Sequence, residues 1–269
     1  MITLLTDFGD ADFYVGSMKG VILNINPNIQ MVDISHAVYP QNIEQAAFVL
    51  KQVYHYFPEG TIHVVVVDPG VGSERRIIAV STGDYIFLAP DNGVLKYIYE
   101  DYSEYKVIEV TNKRYFLDDV STTFHGRDIF APAAAHLSLG HNITDFGKQI
   151  SNYIRPEIIK PVREGNKITG QVIYIDSFGN CITNISSELM ESKNGIQIRI
   201  KNLVLSEIKS NYSEVSKGEV LALLGSSGMM EISVNQGNAQ KQYGFRVGDR
   251  VEIEEARFKR QESRLKTKD

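Results

Sequence analysis

The chain has 269 residues and a formal net charge of −5 at pH 7, long enough for one large core or two moderate ones, and two domains are expected. Its acidic and basic residues are interspersed, so it offers no extended basic face to a nucleic-acid backbone, and nucleic-acid partners are not expected. The only cysteine, Cys181, rules out an intrachain disulfide and reads as a small buried apolar residue in a reducing compartment.

The N-terminus MITLLTDFGD lacks the basic start and long apolar stretch of a signal peptide, so a cytoplasmic location is expected. No apolar run approaches the length of a membrane span, and VVVV at Val64 to Val67 reads as a buried strand.

In chain order, Ile2 to Thr6 reads as a short strand, DFGDAD as a turn and YVGSMKGVILNI as a helix ending before Pro27. MVDIS reads as a second strand. Asn42 to Phe57 reads as a helix with Ile43, Ala46, Ala47, Leu50, Val53 and Tyr54 on one face. Thr61 to Val67 is apolar on nearly every position, as expected of a strand covered on both faces of an α/β sheet.

Arg76 to Ser81 and Tyr85 to Ala89 read as two strands joined at TGD, with a short helix from Asn92 to Tyr99 after them. Lys106 to Val110 reads as another strand, and Gly126 to Leu139 as an alanine-rich helix with Pro132 near its start. Beyond about Arg163 the segments Ile168 to Ile175, Ile196 to Ile200, Val220 to Leu224 and Met230 to Val234 read as β.

The fold class is therefore α/β: an N-terminal domain over 1–158 with a mostly parallel central sheet, then a smaller all-β, barrel-like domain over 166–258. Two prolines and a charged turn in RPEIIKPVREGNK mark the link between them. The tail KRQESRLKTKD reads as a frayed terminus.

Ligands bind doubly wound sheets beyond the carboxyl ends of the strands, where this chain carries polar loops. Asp7 and Asp10 follow the first strand, Asp33 and His36 the second, and Asp68 the third. DPGVGSERR from Asp68 has two glycines for a tight turn with close backbone approach to a ligand, but it matches neither the dinucleotide nor the Walker spacing. FHGRD carries His125, Arg127 and Asp128 at a helix start, where Asp128 suits a capping role. Two further polar segments are IDSFGNCITNI, with Asp176 and Asn180, and GSSGMMEISVNQGNA from Gly225.

These segments, in this order, resemble the S-adenosylmethionine hydroxide adenosyltransferase family, hydrolytic relatives of the fluorinase and chlorinase. The resemblance runs from TDFG at Thr6 to VGD at Val247 to Asp249, with DPGVGSERR and FHGRD as its most specific parts. It implies a hydrolase that splits S-adenosyl-L-methionine with water into adenosine and L-methionine, without a cofactor or metal. It also implies a homotrimer with active sites shared between subunits. By residue, Asp7 matches the acid on the ribose hydroxyls, and Asp68, Arg75 and His125 the catalytic trio. Phe124 lies beside the trio, and Asp176 and Asn180 match positions on the methionine part, with Phe178 a nearby aromatic. Ser226 matches a carboxylate contact and Asn235 the adenine pocket. The halogenating relatives carry arginine where this chain has Ser227, a departure at the carboxylate contact.

Histidine titrates near neutrality, whereas an aspartate beside Arg75 is held ionised, so His125 is the expected proton acceptor, with Asp68 and Arg75 orienting the water. A halide is disfavoured as nucleophile. Two like charges about 4 Å apart repel by roughly 4 kcal/mol at an effective dielectric of about 20, and Asp68 would face the anion. Val71 and Gly126 also stand where the fluorinase has hydroxyl side chains. The rivals are a non-catalytic S-adenosylmethionine or adenosine binder, and a metal-dependent hydrolase using Asp7, Asp10, Asp68, His125 and Asp128.

Overall fold

The computed structural model describes residues 1–190 and 195–255, so the tail read as frayed and the last residues of the domain expected over 166–258 lie outside the described residues. One compact unit covers Met1–Ile158 and a second begins at Ile159.

The first unit is built on seven strands: β1 (Ile2–Thr6), β2 (Met31–Ser35), β3 (Ile62–Val66), β4 (Ile77–Ser81), β5 (Ile86–Pro90), β6 (Lys106–Val110) and β7 (Gly147–Gln149). Their order is β2-β1-β3-β5-β4-β6-β7. The sheet is mixed where a mostly parallel one is expected. Strands β2, β1, β3 and β5 run parallel, whereas β4, β6 and β7 pair antiparallel. The tight turn between β4 and β5 forces the reversal, because a short connection can only join antiparallel strands.

Helices α1 (Tyr14–Ile25) and α4 (Ala131–Ser138) cover one face, and α2 (Ile43–Val53) and α3 (Lys96–Asp101) the other. The period of two in β3 sorts its run of valines. Val64 and Val66 pack with Met18, Ile22 and the alanines of α4, while Val65 and Val67 pack with Ala46, Leu50 and Ile98.

Three helix ends depart from the sequence reading. Helix α2 stops at Val53 and tightens into a 3-10 turn over Tyr54–Tyr56. Helix α3 begins at Lys96, after a turn in which Gly93 takes φ +92°. The helix expected from Gly126 opens as a π-helical turn over Gly126–Phe130, with the Ala131 N–H reaching back to the Gly126 carbonyl. Pro132 has no N–H to return to Asp128. The Asp128 carbonyl instead accepts the Leu117 N–H at 2.9 Å.

The second unit contains β8 (Val162–Glu164), β9 (Lys167–Ile175), β10 (Cys181–Ser186), β11 (Ile196–Ile200), β12 (Leu203–Leu205), β13 (Ile208–Lys209), β14 (Val220–Leu224), β15 (Met229–Val234) and β16 (Arg250–Glu255), with a short helix α5 (Ala239–Tyr243). The order is β12-β11-β16-β9-β10-β15-β14-β13, with β8 also on β9. Long β9 serves three partners, β16 and β8 through its first half and β10 through its second. At the changeover a Cβ on Gly170 would lie 2.4 Å from Asn184 Oδ1, so only glycine lets β10 close in there. The buried core of this unit includes Ile168, Val172, Cys181, Ile198, Met230, Ile232, Val251 and Ile253. Cys181 is free and buried, and burial pushes its thiol up to about 12. No helix among the described residues is long and apolar enough to cross a membrane.

Candidate active site

The alternation in β3 decides where the chemistry points. Asp68 continues the Val64 and Val66 series, so its side chain emerges on the face covered by α1 and α4, where the chain turns into α4 through His125. Arg75 stands between them. Its Nε donates to both Asp68 oxygens at 2.9 and 2.8 Å, and its Nη2 lies 2.5 Å from Asp68 Oδ2. The same Nη2 lies 2.7 Å from His125 Nδ1. The Asp68 side chain is only 5% exposed and that of Arg75 11%, so the pair is largely shielded from water.

The loop that presents Arg75 depends on Gly72. It takes φ +78°, and a Cβ there would lie 2.3 Å from the Thr122 carbonyl oxygen. The close approach expected of this glycine loop is made, but to the backbone just before His125. That contact brings two segments fifty residues apart together.

Charge rules now fix a proton. A guanidinium has donors only, so His125 Nδ1 accepts from Arg75 and the ring is neutral with its hydrogen on Nε2. Burial and the adjacent Arg75 charge hold the imidazole below the ordinary histidine range, against smaller opposing effects of Asp68, Asp128 and the Ser121 backbone. The lone pair that a base would use is therefore engaged. The Asp68 carboxylate accepts only from Arg75 among the described residues, and each of its oxygens keeps lone-pair capacity.

Asp7 lies at the end of β1, next to β3 in the sheet, and its Oδ2 accepts the Gln41 N–H at 2.7 Å. Phe124 is buried, with edge contacts to Tyr14 at 5.0 Å and Phe8 at 6.0 Å between ring centroids. The Arg127 guanidinium sits 5.1 Å over its ring. Asp128 is wholly buried and bonded to Arg127 Nε at 2.6 Å and Ser121 N at 2.8 Å, so in place of the expected helix cap it ties the upstream loop to Arg127. Sequence reading missed Phe8, Tyr14 and Gln41. Gln41 gives its N–H to Asp7 from a left-handed backbone, φ +66°, and glutamine carries no sequence signal for that conformation.

In the second unit, Asp176 and Asn180 meet in the turn from β9 to β10. Asp176 Oδ1 accepts the N–H groups of Phe178 at 3.0 Å and Asn180 at 2.8 Å, and Oδ2 accepts Asn180 Nδ2 at 2.9 Å. Phe178, at the tip, is 73% exposed. Asn235 follows β15 and donates to the Val215 carbonyl at 2.8 Å. Ser226 is exposed in the turn before β15, so the six residues of that strand put it about 20 Å from Asn235. Ser227 Oγ makes a 3.4 Å contact with Met229 N inside the same turn. Among the described residues no group of three or more His, Cys, Asp or Glu is placed to hold a metal ion. Of the set expected for a metal hydrolase, Asp68 is engaged by Arg75 and Asp128 by Arg127.

With this geometry in hand, the chain matches the family model for the SAM hydroxide adenosyltransferase N-terminal domain over residues 2–147 and that for the C-terminal domain over 170–252. The chain belongs to the SAM hydroxide adenosyltransferase family. It is 35% identical over 255 residues to the (R)-S-adenosyl-L-methionine hydrolase of Salinispora tropica, covering 94% of this chain and 97% of the relative. A protein of the same name from Methanocaldococcus jannaschii is 36% identical, with 94% and 95% covered. The fluorinase of an Actinoplanes species matches at 25% identity. A crystal structure of an uncharacterized conserved protein from Thermotoga maritima superposes with a TM-score of 0.88 at 39% identity, covering 94% of this chain and 99% of that one. Within the SAM hydroxide adenosyltransferase family, the hydrolase names specify the sulfonium configuration, which no residue pattern had suggested.

Proposed function

We propose that this chain hydrolyses S-adenosyl-L-methionine, with the (R)-sulfonium epimer preferred, to adenosine and L-methionine. The observation that carries the reading is the shielded Asp68, Arg75 and His125 cluster at the end of β3, in a chain whose hydrolase relatives are 31–36% identical along nearly their whole length.

The sulfonium makes methionine a good leaving group, so much of the task is to aim a water at the ribose 5′ carbon in line with the departing sulfur. The water oxygen forms the new bond to C5′, the C5′–S pair goes to sulfur, and the sulfonium becomes a neutral thioether. As that bond forms the attacking water turns into an oxonium, far more acidic than any carboxylic acid. A carboxylate is then a sufficient acceptor, so we assign the proton to Asp68. This departs from the expectation that His125 accepts it. Neutral His125 instead holds Arg75 through Nδ1, and Arg75 holds Asp68 in one orientation. Asp7 takes the ribose hydroxyls, Phe124 walls the site, and Asp176, Phe178, Asn180, Ser226 and Asn235 recognise the remaining parts of the substrate. The Asp68 and Arg75 charges cancel, leaving no net positive charge to draw a halide into the place of water.

The N- and C-terminal domains over 1–158 and 166–258, a homotrimeric assembly, cytoplasmic residence and independence from cofactors belong to the same proposal. The deciding experiment incubates each sulfonium epimer in heavy-oxygen water and separates the products. Adenosine labelled at the 5′ hydroxyl is expected, faster from the (R) epimer. Methylthioadenosine, unlabelled adenosine or a halogenated nucleoside as the main product would overturn the assignment.

A further inference from the structure

We propose that His36 is a positioning residue for substrate binding: in a chain through Thr6, His36, Asp33 and Lys19, its buried part, Thr6 and His36, holds Asp7 in place. The inference rests on the assignment of Asp7 to the ribose hydroxyls.

Thr6 is fully buried and His36 only 6% exposed, so both polar side chains must find partners inside the protein. They find each other, with Thr6 Oγ1 2.8 Å from His36 Nδ1. The Thr6 oxygen also accepts the Phe8 N–H at 3.3 Å, and the Asp33 carboxylate facing Nε2 favours the ring hydrogen there, so Nδ1 accepts the Thr6 proton. Nε2 then carries the ring hydrogen and lies 3.2 Å from Asp33 Oδ1, close enough for electrostatic attraction. Asp33 Oδ2 lies 2.5 Å from Lys19 Nζ on α1, where the chain reaches solvent.

Two backbone anchors of the Asp7 loop end on this chain. The Phe8 N–H ends on Thr6 Oγ1 and the Gly9 N–H on the His36 carbonyl at 2.8 Å. The loop that starts at His36 returns at Gln41, whose N–H reaches Asp7 Oδ2. Gln41 holds that N–H in a left-handed backbone conformation that a non-glycine residue rarely adopts. Among the described residues Oδ1 of Asp7 accepts no hydrogen bond, leaving it for a ligand hydroxyl. Imidazole in a core position can be wholly structural, as His63 is among Tyr54, Tyr85 and Phe87. His36 differs because its imidazole is paired with Thr6, which accepts the Phe8 N–H, while its own carbonyl accepts the Gly9 N–H.

A group that only positions a ribose contact acts on binding in the ground and transition states alike, so its loss raises KM and leaves kcat. Thr6→Val removes the hydroxyl at constant shape, and His36→Gln moves the polar end away from Thr6. Each is expected to raise KM, and the Kd of adenosine by calorimetry, about tenfold, the scale of one buried hydrogen bond. Turnover should stay within about twofold of the parent. His36→Asn, whose Oδ1 occupies the place of Nδ1, is expected to bind adenosine nearly as the parent does. Lys19→Gln, at the exposed end, should change nothing measurable. Thermal melts confirm that each variant is folded. Unchanged KM in folded Thr6→Val and His36→Gln overturns the inference, as does a fall in kcat equal to the rise in KM. Asp7→Ala separates the two levels. If it too leaves adenosine binding intact, the assignment of Asp7 fails and this inference with it. If it weakens binding while Thr6→Val and His36→Gln do not, only the positioning chain is refuted.

Discussion

The proton assignment is tested by replacing His125 in two ways. In the structure its Nδ1 accepts one hydrogen bond from a charged donor, Arg75 Nη2, at 2.7 Å. Hydrogen bonds to charged groups contribute about 1.5 to 3 kcal/mol, so His125→Ala is expected to lower kcat by roughly ten- to two-hundredfold. Asparagine places Oδ1 near the position of Nδ1 and can accept the same N–H, but it cannot take up a proton at any accessible pH. His125→Asn should therefore stay within about tenfold of the parent enzyme, whereas a lost general base would cost about 10² to 10⁴-fold. Single-turnover rates with chromatographic separation of adenosine measure both variants. The pH profile adds a second reading. Protonation of His125 removes its lone pair and sets a second cation beside Arg75, so activity is present while the ring is neutral and falls as pH drops through its titration. Burial and Arg75 push that titration below the ordinary histidine range, and the limb should vanish in His125→Asn. An asparagine variant as slow as the alanine variant would refute the reasoning and return the base role to His125.

Asp68→Asn is expected to lower turnover by about two orders of magnitude or more while adenosine still binds, read by kinetics beside calorimetry; parallel losses in both would recast Asp68 as a binding group. Gly72→Ala should cost at least about 2 kcal/mol in denaturant unfolding and slow turnover, because φ +78° and the 2.3 Å approach to the Thr122 carbonyl leave no room for a Cβ; wild-type stability would contradict it. His63 is buried and burial lowers its pKa from 6.5 to about 4. The unfolded chain thus binds the extra proton first, so about 3 kcal/mol of stability, present above pH 6.5, is lost as pH falls toward 4. Urea midpoints of the parent and His63→Gln should converge in the acid range, and a parallel pair of curves would remove His63 as the cause.

Much of the molecule was legible along the chain because its signals are local. The valine run of β3 marks a strand covered on both faces, the turn residues mark the ends of the parallel strands, and polar loops at those ends mark where ligands bind. The same residues also carry the family resemblance. Local periodicity could not show that the Asp176 turn and Ser226 stand at opposite ends of β10 and β15, since antiparallel register sets that separation. Nor could it show the π-helical start of α4, which needs both Pro132 and a distant N–H from Leu117. The order of residues determined that Asp68, Arg75 and His125 are present, and what each can donate or accept. Only the tertiary structure decided how those capacities are used. It carried the Gly72 backbone against Thr122 and brought Arg75 Nη2 to a histidine fifty residues away. A donor that can only donate then fixed the imidazole as an acceptor, and protonation follows from such contacts in space, which spacing along the chain does not encode.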